Sequence, residues 1–420
     1  MTSLARREFL AGALAAPFLP RPGFAQGAGR VVVVGGGFGG ATAARFLRRE
    51  DPKLEVFLVE QSERFTACPF SNLVIAGMRE MERQSFGYDA LKAEGVRLIH
   101  AAATGLDAGA KTLTVAGGAS LRYDRLVLAP GVDMNFAGLP GYDEAASERM
   151  PHAWNAGPQT LLLRRQLEAM PDGGLVVISA PSNPFRCPPG PYERASLIAH
   201  YLKTKKPKSK LILLDAKDAF SKQKLFQAAW ARLYPGMLEW VSLSNGGKVS
   251  AVDAAAMTVK TDFSQHKADV ANVIPPQKAG KIAAVAGAAD RTGWCPIDPV
   301  TFESKLLPGV HVIGDATIAG AMPKSAFSAN AQAKICASVV ANLLNGRAPT
   351  EPRLINTCYS LIAPEEGISV AGVYRPQNGA LTEIPGSGGV SPADATDAAR
   401  AAEAGYAHAW FTTITAETFG

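Results

Sequence analysis

Short, continuous apolar runs alternate with helix-forming stretches along most of the chain. The first run, residues 31–34, consists of valines, a pattern typical of a strand that is buried on both faces. A glycine-rich segment follows, then a helix predicted over 41–49 and a second strand predicted over 55–59. This order predicts a βαβ unit, in which two neighbouring strands of one sheet run parallel.

The same alternation returns further along the chain. Strands are predicted over 125–129, 175–178, 210–215 and 310–313, and helices over 192–202 and 325–344. After Pro349 the chain becomes rich in Gly, Pro and Ala, with one short helical stretch over 393–407. We therefore predict an α/β fold with two Rossmann-like, dinucleotide-binding domains and a small C-terminal domain. The predicted bounds are 29–150 with 285–348 for the first domain, 151–284 for the second and 349–420 for the third.

Gly35, Gly37 and Gly40 form a G-x-G-x-x-G motif between the first strand and the first helix. Glycines at these positions allow a tight turn, let the backbone approach a pyrophosphate and let the helix pack closely on the sheet. The pyrophosphate would lie at the helix N-terminus, where free N–H groups and the helix dipole favour an anion. Glu60 follows the second strand and is expected to accept hydrogen bonds from a ribose. These residues predict a dinucleotide site.

Gly314 and Asp315 follow the late strand and indicate that the dinucleotide is FAD. In FAD enzymes with two such folds, a Gly-Asp pair at this point brings a carboxylate to the ribityl chain. Residues 321–325 open the next helix, and we expect its N-terminus, with Lys324, to face the flavin ring. A simple helix cap at Ser325 is the alternative. The predicted fold is then that of the FAD-dependent disulfide reductases.

The second predicted Rossmann-like domain departs from the pattern of nicotinamide binding. Where a glycine motif would stand, residues 180–192 are rich in proline. Because proline lacks the N–H that would hold a phosphate, we expect no nicotinamide cofactor in this domain. Cys187 lies in the same loop, and we expect it to approach the flavin instead.

The chain contains five cysteines, and none are spaced as zinc ligands. No C-x-x-C-H motif for haem attachment exists either, so we predict no metal site in this chain. Cys336 belongs to an apolar helical stripe and Cys295 is also interpreted as structural. Cys68, Cys187 and Cys358 lie in loop-like contexts. A functional disulfide between Cys187 and Cys358 is one alternative, and the residues alone leave the pairing open.

The N-terminus predicts an exported protein. Arg6 and Arg7 precede an apolar stretch over 9–19, and a small-residue cleavage point follows Ala25, as in a twin-arginine signal peptide. That route carries folded proteins, which suits an enzyme that binds its cofactor before export. No later apolar run is long enough to span a membrane. We therefore expect a protein of the periplasm without transmembrane anchoring.

Composition excludes other classes of protein. Hydrophobic residues make up 47% and charged residues 19% of the chain, which is typical of a globular protein and not of a disordered one. The net charge of +6 is mild, and the densest basic run covers residues 203–210. This run lacks the interleaved aromatic side chains that stack on single-stranded nucleic acid. We interpret it as a solvated loop and expect no nucleic-acid partner.

Three cysteine-centred segments resemble the flavoprotein subunit of flavocytochrome c sulfide dehydrogenase. They are FTACPFSN at 65–72, FRCPPGPYERA at 185–195 and NTCYS at 356–360. The chain is also similar, more distantly, to the sulfide:quinone oxidoreductases. The resemblance implies FAD-dependent oxidation of a small inorganic sulfur substrate, sulfide, to sulfur or polysulfide. It also implies a c-type cytochrome subunit as the electron acceptor, which must be another molecule because this chain has no haem motif.

The resemblance also implies roles for four residues. The cysteine that matches Cys68 holds the flavin covalently, through a thioether on its 8-methyl group. Those that match Cys187 and Cys358 form a redox-active disulfide beside the flavin, and Glu193 matches a glutamate that moves protons there. Hydrosulfide would attack the disulfide and leave a persulfide on one cysteine and a thiolate on the other, before two electrons pass to FAD.

Alternative interpretations stay open at this point for the function, for the role of Glu193 and for the C-terminal tail. A sulfide:quinone oxidoreductase predicts an amphipathic, apolar C-terminal helix for the membrane surface, and the tail shows little of that pattern. A flavin-bearing chaperone or binding subunit, with purely structural cysteines, predicts that sulfide does not bleach the flavin. Glu193 is otherwise an ordinary first-turn acid, favoured by the helix dipole. The tail with Trp410 and Phe411 either covers the flavin, helps to form the docking face or is a packing extension.

Overall fold

A computed structural model describes residues 29–420 of the chain. The predicted export signal, residues 1–25, lies outside the described residues. The predicted α/β fold is confirmed, with two parallel sheets, helices packed against them and an antiparallel sheet near the C-terminus. Among the helices described, none is long and apolar enough to cross a membrane.

The N-terminal block contributes most strands of the first parallel sheet. Its strands are β1 (Arg30–Val34), β2 (Glu55–Val59), β3 (Phe65–Thr66), β4 (Ser85–Phe86), β5 (Arg97–Ile99), β6 (Ala103–Asp107), β7 (Thr112–Val115), β8 (Ser120–Arg122), β9 (Arg125–Leu128) and β10 (Val132–Met134). Its helices are α1 (Phe38–Glu50), α2 (Ser71–Ile75), α3 (Asp89–Ala93) and α4 (Glu144–Ser147). The valines of β1 are buried on both faces of the sheet, which explains the continuous apolar run in the sequence.

The middle block forms a second parallel sheet of four strands. Its helices are α5 (Pro158–Ala169), α6 (Gly190–Lys205), α7 (Gln223–Leu233) and α8 (Lys281–Val285). Its strands are β11 (Leu175–Ala180), β12 (Lys210–Asp215), β13 (Leu238–Val241), β14 (Val249–Asp253), β15 (Thr258–Thr261), β16 (Gln265–Lys267), β17 (Val270–Val273) and β18 (Gln277–Ala279). The strand order is β13-β12-β11-β17. The basic run 203–210 was interpreted as a loop, and this is only partly correct, since 203–205 form the end of α6 and Lys210 begins β12.

The third part of the chain returns to the first sheet and then builds the C-terminal sheet. Its strands are β19 (Cys295–Pro296), β20 (Val310–Val312), β21 (Thr317–Ile318), β22 (Leu354–Ala363), β23 (Glu366–Gln377), β24 (Ala380–Glu383) and β25 (Gly389–Val390). Its helices are α9 (Ala326–Leu344) and α10 (Asp397–Phe419). Strand β20 pairs in parallel with β9, which completes a five-stranded sheet of order β20-β9-β1-β2-β5. The first sheet is therefore assembled from two segments that are distant in sequence.

The C-terminal region differs from its prediction in two ways. The long antiparallel hairpin β22–β23 was not predicted, because the surrounding composition is dominated by Gly, Pro and Ala. Helix α10 starts near the predicted position but continues to Phe419, beyond the predicted end at 407. Its last turns contain Thr and Ile, which favour helices weakly, and buried contacts of Phe411 and Phe419 with the first domain stabilise them.

The apolar core supports two predictions about cysteines. Cys336, on α9, and Cys295, on β19, are fully buried in the cluster of apolar side chains around the first sheet. Both were predicted to be structural, and their burial confirms that interpretation. Burial raises the pKa of both thiols, which keeps them protonated and unreactive.

Candidate functional site

A large cavity lies where the three parts of the chain meet. It contains about 1380 Å³ of space free of protein atoms, its open mouth included. Residues that follow β1, β9 and β20 line one side, so the cavity lies at the carboxyl ends of the strands of the first sheet. This edge of a parallel sheet is where cofactors bind in α/β folds.

The glycine motif forms the part of this cavity that a phosphate would contact. Gly37 and Gly39 line the cavity at the N-terminus of α1, whose first turn carries no acidic residue. A Cβ atom on Gly40 would lie 1.8 Å from the carbonyl oxygen of Gly35, so only glycine fits there. Gly35 itself has a φ of +99°, in the left-handed region that favours glycine. The loop and the helix N-terminus together suit an anion.

Glu60 lies beside this loop and outside the wall of the cavity itself. One carboxylate oxygen accepts a hydrogen bond from the N–H of Gly36 at 2.7 Å, and the other accepts one from the N–H of Ser62 at 2.8 Å. Each oxygen can accept a further hydrogen bond. The structure therefore places Glu60 next to the glycine loop, with acceptor capacity left for the hydroxyl groups of a ribose.

Gly314 and Asp315 form a tight turn after β20, and Asp315 lines the cavity. Its atom Oδ1 is buried and has no hydrogen-bond partner among the described residues. Burial raises the pKa of this carboxyl group, and the positive charges of Arg186 and Lys324 oppose that shift. A buried acceptor without a partner is expected where the hydroxyl groups of a ligand bind. This position fits the ribityl chain of FAD.

Lys324 does not line the cavity. Its ammonium group donates hydrogen bonds to the carbonyl oxygens of Asp315, at 2.8 Å, and Thr317, at 2.6 Å, and lies 3.9 Å from the centre of the Trp294 ring. Burial lowers its pKa to about 8. The Ser325 hydroxyl accepts a hydrogen bond from the N–H of Ser328 and caps α9, which was the alternative interpretation. Lys324 thus holds the turn that contains Asp315.

Three of the five cysteines line the cavity. Cys68 lies between β3 and α2, and Cys187 lies in the loop before α6, both as predicted. Cys358 was also predicted in a loop, and this is wrong, since it lies in the middle of β22, opposite Val370 of β23. All three are free thiols in this structure. Burial raises the pKa of Cys187 and of Cys358.

Glu193 lies in the first turn of α6 and lines the same cavity. One of its carboxylate oxygens accepts a hydrogen bond from the N–H of Leu361 on β22 at 2.8 Å, and the other accepts one from the side-chain amide of Asn72 at 2.8 Å. Burial raises its pKa, and these two hydrogen bonds oppose the shift. The position is therefore that of a first-turn acid, and it is also beside both cysteines of the predicted pair.

Arg194 is a buried residue of the site to which the sequence assigned no role. Its guanidinium group donates to the side-chain oxygen of Asn72 at 2.9 Å and lies 4.9 Å from the centre of the Trp154 ring. Burial lowers its pKa to about 10, so it is a cation at neutral pH. Trp154 lines the cavity, and its indole nitrogen has no partner among residues 29–420. Nothing in the local sequence distinguishes Arg194 from a surface arginine.

The second sheet has an acidic residue where the first sheet has Glu60, but its oxygens are occupied. Asp215 ends β12 and is fully buried. It accepts hydrogen bonds from the Tyr192 hydroxyl at 2.6 Å, from the Trp240 indole at 3.0 Å and from the Lys217 ammonium group at 2.5 Å. Tyr192 stacks on Phe220 with ring centres 3.6 Å apart. Side chains of the protein fill the place where a ribose would bind, which is a physical reason to expect no nicotinamide there.

Metal ligation has no candidate in the described part of the chain. Across residues 29–420, no group of three or more His, Cys, Asp or Glu side chains is arranged to hold a metal ion.

The chain matches three known protein families. Residues 160–275 match the central domain of the sulfide dehydrogenase (flavocytochrome c) flavoprotein chain. Residues 350–419 match the flavin-binding domain of flavocytochrome c sulphide dehydrogenase. Residues 29–157 match the pyridine nucleotide-disulphide oxidoreductases.

Individual proteins agree with these matches. The flavoprotein chain of sulfide dehydrogenase (flavocytochrome c) from Chlorobaculum thiosulfatiphilum is 60% identical over 48 residues, which are 11% of this chain and the whole of that sequence. Mitochondrial sulfide:quinone oxidoreductase from Mus musculus is 24% identical over 294 residues, which are 68% of this chain and 65% of the mouse protein. The solved structure of sulfide:quinone oxidoreductase from Aquifex aeolicus has a TM-score of 0.72 at 19% identity, covering 93% of this chain and 92% of that one, and shows the shared fold.

The geometry of the cavity fits FAD. The glycine loop leaves room for a pyrophosphate, and the orphaned oxygen of Asp315 lies on the cavity wall where the ribityl chain would pass. The family matches agree with a flavin cofactor. The chain is an FAD-binding flavoprotein oxidoreductase, and it belongs to the family of flavoprotein chains of flavocytochrome c sulfide dehydrogenase.

Proposed function

We propose that this protein oxidises sulfide to sulfur or polysulfide through a disulfide between Cys187 and Cys358, and passes the electrons from FAD to a c-type cytochrome subunit. The observation that carries the proposal is the meeting of these two cysteines, one from the middle block and one from β22, on the wall of one cavity. The same cavity contains the glycine loop and Asp315. Membership of the sulfide dehydrogenase family supports sulfide as the substrate.

The two cysteines supply the covalent chemistry. Their oxidised form is a disulfide, and attack by hydrosulfide breaks its S–S bond, forms a persulfide on one cysteine and leaves a thiolate on the other. Release of one sulfur atom at the oxidation level of elemental sulfur frees two electrons and one proton for each hydrosulfide consumed. FAD, when bound, accepts electrons in pairs and can release them singly to a haem.

Glu193 is proposed to receive the proton. It lies on the wall that holds Cys187 and Cys358, and a carboxyl group whose pKa is raised by burial can take up a proton nearer to neutral pH than an exposed one. Its hydrogen bonds to Leu361 and Asn72 fix the carboxyl group in place. A group held in this way can exchange protons repeatedly without moving.

Cys68 is proposed to hold the flavin covalently by a thioether. Its sulfur lies 3.6 Å from the carbonyl oxygen of Trp154, and both residues line the cavity. The resemblance of the segment 65–72 to the family supports this role. The cofactor would then stay attached during export by the proposed twin-arginine route to the periplasm.

The C-terminal helix is proposed to cover the flavin and to take part in docking the cytochrome. Trp410 of α10 lines the cavity and stacks on Phe327 of α9, with ring centres 6.2 Å apart and planes at 7°. Tyr359 lines the cavity next to them. Phe411 is buried in the core of the first domain and is a packing residue. The aromatic side chains of Phe327, Tyr359 and Trp410 therefore form one side of the cavity.

Anaerobic titration with sulfide tests the proposed function. Sulfide should bleach the flavin absorbance of the native protein and of Cys336→Ala, a control whose sulfur lies in the core. Cys187→Ser and Cys358→Ser should keep the flavin oxidised at the same sulfide concentration. An unbleached native protein, with flavin bound, would contradict the proposal and favour a binding subunit.

The electron acceptor is tested by reoxidation of the reduced protein. A c-type cytochrome should reoxidise the flavin within the time of mixing, and a short-chain quinone should do so at least about tenfold more slowly, a difference of about 1.4 kcal/mol in activation free energy. Faster reoxidation by the quinone would instead favour a sulfide:quinone oxidoreductase, the alternative to which the fold similarity with the Aquifex aeolicus enzyme points.

A further inference from the structure

Lys222 is a buried cation whose function the proposed reaction does not yet include. It precedes α7 with a φ of +62°, in the left-handed region, and is 8% exposed. Its ammonium group donates hydrogen bonds to the carbonyl oxygen of Cys358 at 2.7 Å and to the Ser360 hydroxyl at 2.9 Å. A buried charge is costly unless an opposite charge or several hydrogen bonds compensate it. Lys222 thus crosses from the second domain to β22, next to a reactive cysteine.

No carboxylate forms an ion pair with Lys222 in the part of the chain that the structure describes, where its hydrogen-bond acceptors are all neutral. Glu193 faces it, but the oxygens of Glu193 accept hydrogen bonds from Leu361 and Asn72. Glu403 also faces it and accepts hydrogen bonds from the Ser391 hydroxyl. Burial lowers the pKa of Lys222 to about 8, and attraction to the anionic form of Cys358 opposes that shift.

Asn356 directs a second donor at the same sulfur. Its side-chain amide donates a hydrogen bond to the Sγ atom of Cys358 at 3.3 Å. Its carbonyl oxygen accepts hydrogen bonds from the hydroxyls of Ser325 at 2.6 Å and Ser328 at 3.1 Å, which fix the orientation of the amide. Asn356 is 2% exposed, so water does not compete for this contact. The charges of Arg186, Arg194 and Lys222 also act on Cys187, but Cys187 has no side-chain hydrogen bond to its sulfur within residues 29–420.

We propose that Lys222 and Asn356 form an anion site for the thiolate of Cys358, and that this site directs hydrosulfide to Cys187. The inference rests on the proposed function. In the step concerned, the S–S bond between the two cysteines breaks and a new S–S bond forms between hydrosulfide and Cys187. The negative charge of hydrosulfide ends on the Cys358 sulfur, and no other oxidant or reductant is needed. Asn356 touches the sulfur that carries the charge. Lys222 does not touch that sulfur; it binds the carbonyl oxygen of Cys358, and its positive charge stabilises the nearby thiolate.

The remaining groups near the Cys358 sulfur do not replace this cation. The titratable groups that face Cys358 or Lys222 come from α6, the loop before α6, β23 and α10. They are Glu193, Cys187, Tyr374 and Glu403. Each of these is neutral or negative, so each either leaves the charge on Cys358 unchanged or opposes it. Lys222 is therefore the group whose loss should change the titration of the thiol most.

Alkylation of Cys358 as a function of pH tests the anion site without sulfide. The experiment uses the full-length flavin-loaded Cys187→Ser protein, in which Cys358 cannot form the disulfide, and quantifies iodoacetamide labelling of the Cys358 peptide by mass spectrometry. Lys222→Gln keeps hydrogen-bond donors and removes the charge. It should move the midpoint of labelling up by about one pH unit and slow labelling at pH 7 about tenfold, the effect of removing a nearby opposite charge.

Two matched variants separate charge from packing. Lys222→Arg keeps the charge, and Ser360→Ala removes one acceptor of Lys222 while the charge stays, so both should label with the midpoint of the parent. Asn356→Ala, which removes the donor on the sulfur, should slow labelling several-fold. An unchanged midpoint in Lys222→Gln, or a shift of about one pH unit in folded Lys222→Arg, overturns the proposal.

The outcome is independent of the proposed function, because labelling requires no turnover. If sulfide fails to reduce the native flavin while Lys222→Gln still shifts the midpoint, the anion site stands and the sulfide reaction is wrong. If sulfide reduces the flavin and the midpoint does not shift, the reaction stands and the anion site is wrong. Flavin content and thermal melting identify any variant that does not fold, in which case Asn356→Ala and Lys222→Arg decide.

Discussion

The main-chain N–H of Cys187 donates a hydrogen bond to the carbonyl oxygen of Lys324, 2.8 Å away. This bond joins the cysteine loop of the second domain to the segment that leads from the first sheet into α9. Cys187 also has a φ of +59°, and its own carbonyl oxygen accepts a hydrogen bond from the N–H of Gly190. The position of this sulfur is thus set by the main chain, and substitution of the side chain should leave the loop in place.

Gly40→Ala should abolish FAD binding. The added Cβ would lie 1.8 Å from the carbonyl oxygen of Gly35, a main-chain atom that cannot move without opening the turn under the pyrophosphate. Gly405→Ala is the control, since Gly405 lies in α10 outside the cavity lining and its Cβ would have no heavy atom within 4 Å. Flavin absorbance per mole of purified protein measures the result, and a yellow, fully loaded Gly40→Ala protein would refute this account of the loop.

Cys68→Ala should release the flavin on denaturation. If Cys68 carries the thioether, acid precipitation of the native protein leaves the yellow colour in the pellet, and the same treatment of Cys68→Ala leaves it in the supernatant. Cys187→Ser serves as the control, because its flavin should stay with the polypeptide. Flavin fluorescence of a denaturing gel gives the same comparison. Equal release from all three proteins would show that FAD is held without a covalent bond.

The first sulfur taken up should be found on Cys187. One equivalent of sulfide is added without oxygen to protein whose cysteine pair is oxidised, and the products are trapped by alkylation before digestion. We expect the mass of one extra sulfur atom on the Cys187 peptide and a singly alkylated Cys358, because the anion site favours charge on Cys358. Extra sulfur on the Cys358 peptide would reverse the direction of attack.

The rate of flavin reduction by sulfide should fall above about pH 8. The pKa of Lys222 is lowered by burial to about 8, so the ammonium group is charged below this pH and loses its proton as the pH rises through it. Without that charge the leaving thiolate is less stable and the disulfide opens more slowly. Stopped-flow measurements at constant hydrosulfide concentration should show this decline in the native protein, and Lys222→Gln should lack it. If the rate falls in the same way in both proteins, the decline is caused by the titration of a group other than Lys222.

Glu193→Gln should slow flavin reduction by roughly 10²-fold, the usual contribution of a positioned acid or base. The amide has the shape of the carboxyl group and can still accept the hydrogen bond from Leu361, whereas the bond from the Asn72 amide is lost because the new NH2 group is a donor. The new amide cannot take up the proton that sulfide releases. Flavin content, which should be normal, is measured beside the rate. A rate within about twofold of the native protein would show that Glu193 has a structural role only, in which its hydrogen bond to Leu361 joins α6 to β22.

The first sheet and its glycine loop could be predicted because local pattern and tertiary structure agree there. The valines of β1 and the three glycines lie within a few residues of one another, so a short window of sequence contains the whole signal. Gly314 and Asp315 could be found in the same way, since a short strand precedes them and a long helix follows. The hairpin β22–β23 was missed although Ile and Tyr occur in both of its strands, because the Gly-, Pro- and Ala-rich composition of the whole tail was weighed instead of these two short segments.

The part of the site that was missed depends on contacts between distant residues. Lys222 reaches Cys358 across the boundary between two domains, and nothing near it in sequence indicates a buried lysine. Lys324 was expected to face the flavin because it opens a helix, but aromatic and carbonyl partners hold its ammonium group outside the cavity lining. Asn356 left a signal that could have been used. Residues two apart on a strand share one face, so a polar residue at that spacing from Cys358 was placed to contact it.

The saturated carboxylate of Asp215 has a consequence for the bioenergetics of the protein. Residues 29–157 match the pyridine nucleotide-disulphide oxidoreductases, whose name joins a pyridine nucleotide to a disulfide. Here the carboxylate of Asp215, the acid placed to bind the ribose of such a nucleotide, already accepts hydrogen bonds from tyrosine, tryptophan and lysine side chains. We therefore expect that NADH and NADPH do not reduce the flavin, so that its electrons come from the inorganic sulfur substrate alone.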